Sequence, residues 1–473
     1  MKIYSHLLPV LLALLLARPV SVPEPLPDPG QTVITEIAPE TEVSPEMLPP
    51  VAWRFRTITT AGGTNSVTFK QQLHAPNMVV IQVLENGNPL PQEIHNPGTN
   101  LETFTLNFSS SSAIEVQILT CSDDVQRIDI RGQGITELYV DALTGLERLD
   151  AQWAKDTNGD DIYNDITNPQ DLTNCNSLQY VDFTKNLNLQ TVLLDGLALL
   201  QNVTLTDCDI THGYDLNTNP SIENFAVSNN NIPNIDLGIN NDKFRRIVAN
   251  NNEISNTLDF SAYCPNMEYI WLDRNFDLTD VRVDHLQHLE LFRAVYCDIT
   301  SVLNLYTCPV LNYVYLEGNT QLKNVTISQN GVGPLGLDFF NIDRCAVKGV
   351  MDLSIFESVR VIEVQGNEIE GLTLPDPIPS GLWRMFASSN KIPTSDLEAI
   401  VALFHHKEIT NQDPEIVAPS NQIKGLAINQ NDANKCISSI HMGYLTDLET
   451  LLTNDWDTDR LGNSTMIPIP TCP

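Results

Sequence analysis

The sequence predicts a mainly β solenoid of about twelve stacked turns, with a small β domain before it and a helix-containing cap after it. Three observations predict this. Apolar residues recur at offsets 1, 4 and 6 with Asn or Cys at offset 9, mostly every 22 residues. A second apolar pair, spaced i and i+2, follows the offset-9 residue in many copies. Upstream, short runs alternate apolar and polar residues between turn-forming pairs.

Ten copies are clear. They include Leu178-Val181-Phe183-Asn186, Leu200-Val203-Leu205-Cys208, Ile222-Phe225-Val227-Asn230 and Phe244-Ile247-Ala249-Asn252. The register continues through Met267, Leu289, Leu311, Leu337 and Val359 to Leu382-Met385-Ala387-Asn390. Two weaker copies, Val125-Ile128-Ile130-Gln133 and Leu146-Leu149-Ala151-Ala154, come first. Offsets 4 and 6 point to one face of a short strand. A single strand cannot bury that face, so stacked copies share an apolar column and a parallel sheet.

The pattern resembles the leucine-rich repeat over residues 123–393. The resemblance implies that the offset-9 Asn forms a ladder of backbone contacts between turns. Cys208, Cys297 and Cys345 occupy that slot here. The outer pairs, such as Ile235 and Leu237 or Leu258 and Phe260, predict strand rather than helix. Repeats of this kind are similar to those of bacterial cell-surface leucine-rich proteins. That likeness implies adhesion or recognition, although sites rather than folds set function.

Flanking segments follow from composition. Residues 1–18 combine Met1-Lys2 with an apolar run from Leu7 to Ala17, which fits a secretory signal peptide. The competing reading is an apolar peg that docks into an assembly. Residues 19–50 hold nine prolines and form an acidic linker. Residues 51–122 alternate in runs such as "SVTFKQQL" and "ETFTLNF", predicting an antiparallel β domain that caps the first turn. Residues 394–473 carry "TSDLEAIVALFHHK" and a second helical stretch, predicting the C-terminal cap.

The balance of 26 basic against 59 acidic residues gives a net charge of −33. Nucleic acid and anionic membranes are therefore disfavoured partners. Of nine cysteines, three sit in the ladder slot, while Cys175, Cys264 and Cys308 lie three residues before an offset-1 residue. These six read as buried thiols; Cys436 and Cys472 could pair, and Cys121 is left over. Catalytic signatures are absent: no P-loop, no G-x-S-x-G, no H-E-x-x-H and no zinc spacing. His405-His406 reads as a surface or packing pair. No resident cofactor is expected beyond a candidate calcium ion.

That calcium loop is "DTNGDDIYND", residues 156–165. Asp156, Asn158 and Asp160 alternate oxygen ligands, with Asn164 and Asp165 closing the run. A solvated acidic loop is the alternative. The candidate binding face comes from offsets 3, 5, 7 and 8, which point to the concave side. In the early copies these are small, polar or acidic, including Asp129, Asp150 and Asp182. From Met267 onward they become Tyr269, Trp271 and Arg274, then Arg293 and Tyr296, then Tyr313 and Tyr315, then Phe339 and Arg344. Arg384 and Phe386 follow. Aromatic and Arg clusters of this kind mark binding hot spots.

Together these features predict a secreted or surface-displayed, non-enzymatic protein that binds a protein or glycan through the concave face. The rival is a structural component, such as a virion decoration, spike or fibre subunit, held through its N-terminal segment. A minor alternative is a carbohydrate-active enzyme using the Asp column.

Overall fold

The computed structural model describes residues 49–427 apart from 59–64, 109–112, 156–158, 239–240, 380, 383 and 412–424. The apolar N-terminal run, most of the Pro-rich linker, and the second cap helix with Cys436 and Cys472 lie outside the described residues. Each of the twelve copies contributes one short strand to a single sheet, from Val125–Asp129 to Arg384–Phe386. A thirteenth parallel strand, Gly425–Ala427, extends it. Neighbouring strands are parallel and in strict register, so that Tyr269 pairs with Leu291 and Leu291 with Tyr313.

The outer side carries two-stranded parallel pieces, such as Tyr214–Asp215 against Ile235–Asp236. Between the two sides runs one unbroken core, from Ala52 in the first module to Val401 in the helix Thr394–Asn411. Leu205, Val227, Leu272, Leu316 and Val364 are fully buried in it. Leu316→Ala is expected to cost about 2–4 kcal/mol through lost burial and a cavity. Thermal melting checks this.

At the N-terminal end the solenoid is not closed by a separate lid. Asn65–Leu73 pairs antiparallel with Val125–Asp129 and so continues the concave sheet. Val51–Ile58 pairs with Ile135–Tyr139 and continues the outer side. The first turn therefore has no open edge toward this module, which removes a site for edge-to-edge association.

The offset-9 ladder is a hydrogen-bond column with a simple grammar. The amide of Asn275 donates to the carbonyls of Leu272 and, one turn back, Ala249. Its oxygen accepts the Ile254 N–H of the preceding turn. The same set recurs at Asn230, Asn252, Asn367 and Asn390. Cysteine can donate to the preceding carbonyl, as Cys297 does to Leu272 at 3.2 Å, but offers no comparable acceptor.

The turn before each ladder cysteine resolves this. There the next apolar residue stands three places after Asn rather than two: Leu189, Leu278 and Leu322. Its N–H bonds back to the ladder carbonyl, Asn186, Asn275 or Asn319, at about 3 Å. No acceptor from the next turn is needed, and Cys208, Cys297 or Cys345 follows. Wherever the apolar residue stands two places on, the next described ladder residue is Asn.

Offset 8 is left-handed in nearly every turn. Lys185, Asp207, Asn229, Asn251, Arg274, Tyr296, Arg344 and Ser389 all have φ between 53 and 62°. Gly318 and Gly366 share the position. Gly318 is needed for space as well, since a Cβ there would lie 2.3 Å from the Tyr296 ring.

Candidate functional site

Alternation along the strands gives the concave face three columns, at offsets 3, 5 and 7. In turns seven to ten the first two columns are largely aromatic or apolar. Leu291, Val295 and Tyr315 form a buried cluster separate from the main core, edged by half-buried Tyr269, Tyr313 and Phe339. The Tyr315 and Phe339 rings stack with centroids 4.4 Å apart. Arg293 lies between its register neighbours, with its guanidinium carbon 5.2 Å from the Trp271 ring and 4.9 Å from that of Tyr315. Its Nε donates to Asp273, so the cation is held by two rings and a carboxylate.

Depth corrects the sequence expectation. The concave columns gather the aromatic residues, but Trp271, Arg293 and Tyr315 are each only 7 % exposed. In-register strands bring each ring against the residue one turn away, and close packing covers both. Burial pushes the Tyr315 hydroxyl upward, with the nearby Arg293 opposing. The Trp271 Nε1 is buried without an acceptor. Truncating Trp271 or Tyr315 would therefore unsettle the sheet as well as any binding.

Tyr269, Tyr313, Phe339 and Phe386 keep surface for a partner. Arg274, Tyr296 and Arg344 sit at the left-handed strand ends and form a rim. Tyr296 donates its hydroxyl to Glu317 at 2.9 Å, and Arg344 reaches the same carboxylate at 3.6 Å.

Turns nine to twelve add an acidic network. Asn341 donates to Glu363 at 2.7 Å, and Arg384 donates to its other oxygen at 2.8 Å. Asp343 accepts from the backbone and side-chain amides of Gln365 at 2.9 and 2.6 Å. Burial first, then the charges of Glu363 and Glu317, push Asp343 up to about 7. Burial also raises Glu363 against the pull of Arg384. Sequence reasoning placed Arg384 on this face but did not single out Glu363 and Gln365, which the register counted from Val359 would have found.

The early concave acids are committed to partners. Asp129 is bound by Arg131, Asp150 by Arg127 and Arg148, and Asp182 by the Thr184 N–H and the Tyr180 hydroxyl. Arginine neighbours hold Asp129 below the usual carboxylate range despite its burial. Asp129 and Asp150 are thus paired with arginines, whereas Asp182 is held by a backbone N–H and a phenol.

The expected calcium loop also changes character. Asn164 is a ladder residue: it donates to Ile130 and Ala151 and accepts from Ile135. The segment before it is an inserted hairpin, Ala154–Lys155 against Asp161–Ile162, which displaces the ladder Asn by ten positions from the Ala154 slot. Asn164 is thus buried and saturated, not a metal ligand. Asp165 is exposed and accepts from Asn188. Asp160 is exposed, and Asp156 and Asn158 lie outside the described residues. Lys155 and Tyr163 hydrogen-bond Asp161 and hold it at about 2. Among the described residues no three His, Cys, Asp or Glu side chains come together to hold a metal ion.

The six internal cysteines are buried and unpaired. Burial pushes Cys175, Cys208, Cys264, Cys297 and Cys345 up to about 12, so they are packing groups with little thiolate character.

Strand register, a 22-residue step and the Asn/Cys ladder decide the architecture. The chain is a leucine-rich-repeat solenoid. No protein-family model matches the sequence, and no curated protein matches it. Among solved structures, the functional domain of InlJ from Listeria monocytogenes, described as including a cysteine ladder, aligns with 60% of this chain. That match covers 73% of the InlJ domain, with a TM-score of 0.38 and 17% identity. An internalin of the same organism, InlF, aligns over 68% of this chain and 84% of its own, with a TM-score of 0.36 and 15% identity. The leucine-rich-repeat assignment stands on this chain's own spacing and ladder. No described helix is long and apolar enough to cross a membrane.

Proposed function

We propose that this is a non-enzymatic recognition protein, secreted or displayed at a surface, that binds its partner through the concave face of turns seven to twelve. The carrying observation is the cluster of Leu291, Val295 and Tyr315 with half-buried Tyr269, Tyr313 and Phe339, which sits on the sheet face outside the main core. Apolar and aromatic groups on an open face of an otherwise polar, highly charged protein mark a contact surface. Half-buried rings offer large contact area at low entropic cost. The apolar run at Leu7–Ala17 and the Pro-rich spacer support export and display.

Tyr313→Ser with Phe339→Ser should abolish retention of a native protein or glycan partner in affinity enrichment. Melting should shift only modestly, because both rings are half-buried. Val350→Ser, on the 75 % exposed outer-side valine, should leave retention unchanged. Equal retention by all three forms would overturn the concave assignment.

A further inference from the structure

The concave columns change electrical sign along the solenoid. In the first two turns Arg127, Arg131 and Arg148 outnumber Asp129 and Asp150. In turns nine to twelve the balance reverses: Glu317, Asp343 and Glu363 face a single column cation, Arg384. Arg384 satisfies Glu363, while Tyr296 and Arg344 reach Glu317 from the rim. Asp343 is different. It is only 5 % exposed, and among the described residues its carboxylate accepts hydrogen bonds from Gln365 alone. Among the described residues no Lys, Arg or His makes an ion pair with it.

A buried carboxylate without a cation is costly to keep. Glu317 from the preceding turn and Glu363 from the following turn deepen the negative potential around it. Beside this patch lies the apolar cluster of Leu291, Tyr313, Tyr315 and Phe339. A ligand complementary to both would bring apolar groups to the rings and positive charge to the carboxylates. The net charge of −33 would steer such a partner and repel an anionic one.

We infer that this half of the concave face takes an extended segment of a partner protein in which Lys or Arg residues alternate with apolar ones. This rests on the recognition role proposed above and names the chemistry of the partner. The cations of the segment lie over Glu317, Asp343 and Glu363, and its apolar side chains lie on Tyr313 and Phe339. Binding by a cation requires the charged form of Asp343, so affinity rises as pH increases through about 7.

The test uses the full chain and three fluorescent peptides in which Leu alternates with Arg, Gln or Glu. The Arg–Leu peptide should bind and the Glu–Leu peptide should not. Asp343→Asn with Glu317→Gln should weaken Arg–Leu binding about tenfold or more. The exposed pair Glu357→Gln and Glu370→Gln should leave it unchanged. Glu317→Gln alone gives a second, milder variant, and melting curves verify that each form is folded.

Undiminished Arg–Leu binding in the Asp343/Glu317 variant, or equal weakening in the Glu357/Glu370 control, overturns the inference. So does failure of the Arg–Leu peptide to bind, or equal displacement by spermine, which has no apolar side chains. If the Gln–Leu peptide binds as tightly as Arg–Leu and is lost with Tyr313→Ser and Phe339→Ser, the recognition face stands without a preference for cations. If neither concave pair of substitutions affects any binding, both readings fall.

Discussion

Asp343→Asn is expected to stabilise the protein at pH 8 and to change little near pH 4. The carboxyl rises from its ordinary 3.8 to about 7 because it is buried beside Glu363 and Glu317. A carboxyl whose folded value is raised favours folding fully only below its unfolded value. That contribution is lost as pH climbs through the folded value. Over a rise of this size, at about 1.4 kcal/mol per pH unit, the loss approaches about 4 kcal/mol by pH 8. Asparagine keeps the shape and cannot ionise, and Gln365 can turn its amide to match. Melting midpoints of the two proteins should therefore coincide near pH 4 and diverge steadily to pH 8. Parallel curves across that window would show that Asp343 titrates normally.

The second large effect concerns the ladder. Asn275→Ala removes a donor from the carbonyls of Ala249 and Leu272, which keep Asn252 and Cys297 respectively, and leaves the buried N–H of Ile254 without an acceptor. The one buried unpaired N–H costs about 1–3 kcal/mol and the lost amide bonds and packing add to it, so a total of about 2–4 kcal/mol is expected. Asn275→Cys should recover part of this by donating to a carbonyl, but leaves Ile254 without an acceptor. Cys297→Ala should cost less, about 1–2 kcal/mol, because only one weak S–H bond and a small buried group are lost. Denaturant melts of the three variants give the order directly. A Cys297→Ala loss equal to that of Asn275→Ala would contradict the ladder grammar.

Much of this fold was legible because its cause is periodic. Offsets 4 and 6 fix the inward face, and twelve copies repeat the same instruction. Even the interchange of Asn and Cys follows from spacing, since Leu278 one place later in its turn removes the need for an acceptor at Cys297. Asn164 was grouped with the candidate calcium ligands because acidic and amide residues in a tight run look alike whether they ligate a cation or bond the backbone. Only the three-dimensional position of Asn164, below Ile130 and Ala151, separates the two.

The concave columns were equally plain in identity, but their depth was not. Whether Trp271 stands out or lies flat depends on Arg293 one turn away, and thus on contacts across 22 positions. Pairing across turns also hid the acidic network. Glu363 acquires its partners from Asn341 and Arg384, each on a different strand.

Site-specific photo-crosslinking tests the central claim most directly. With p-benzoylphenylalanine placed at Phe339, irradiation in the presence of the native partner should give a covalent adduct. The same group placed at Val350, on the outer side, should give none. An adduct at Val350 and none at Phe339 would put the contact on the opposite face and contradict recognition through the concave sheet.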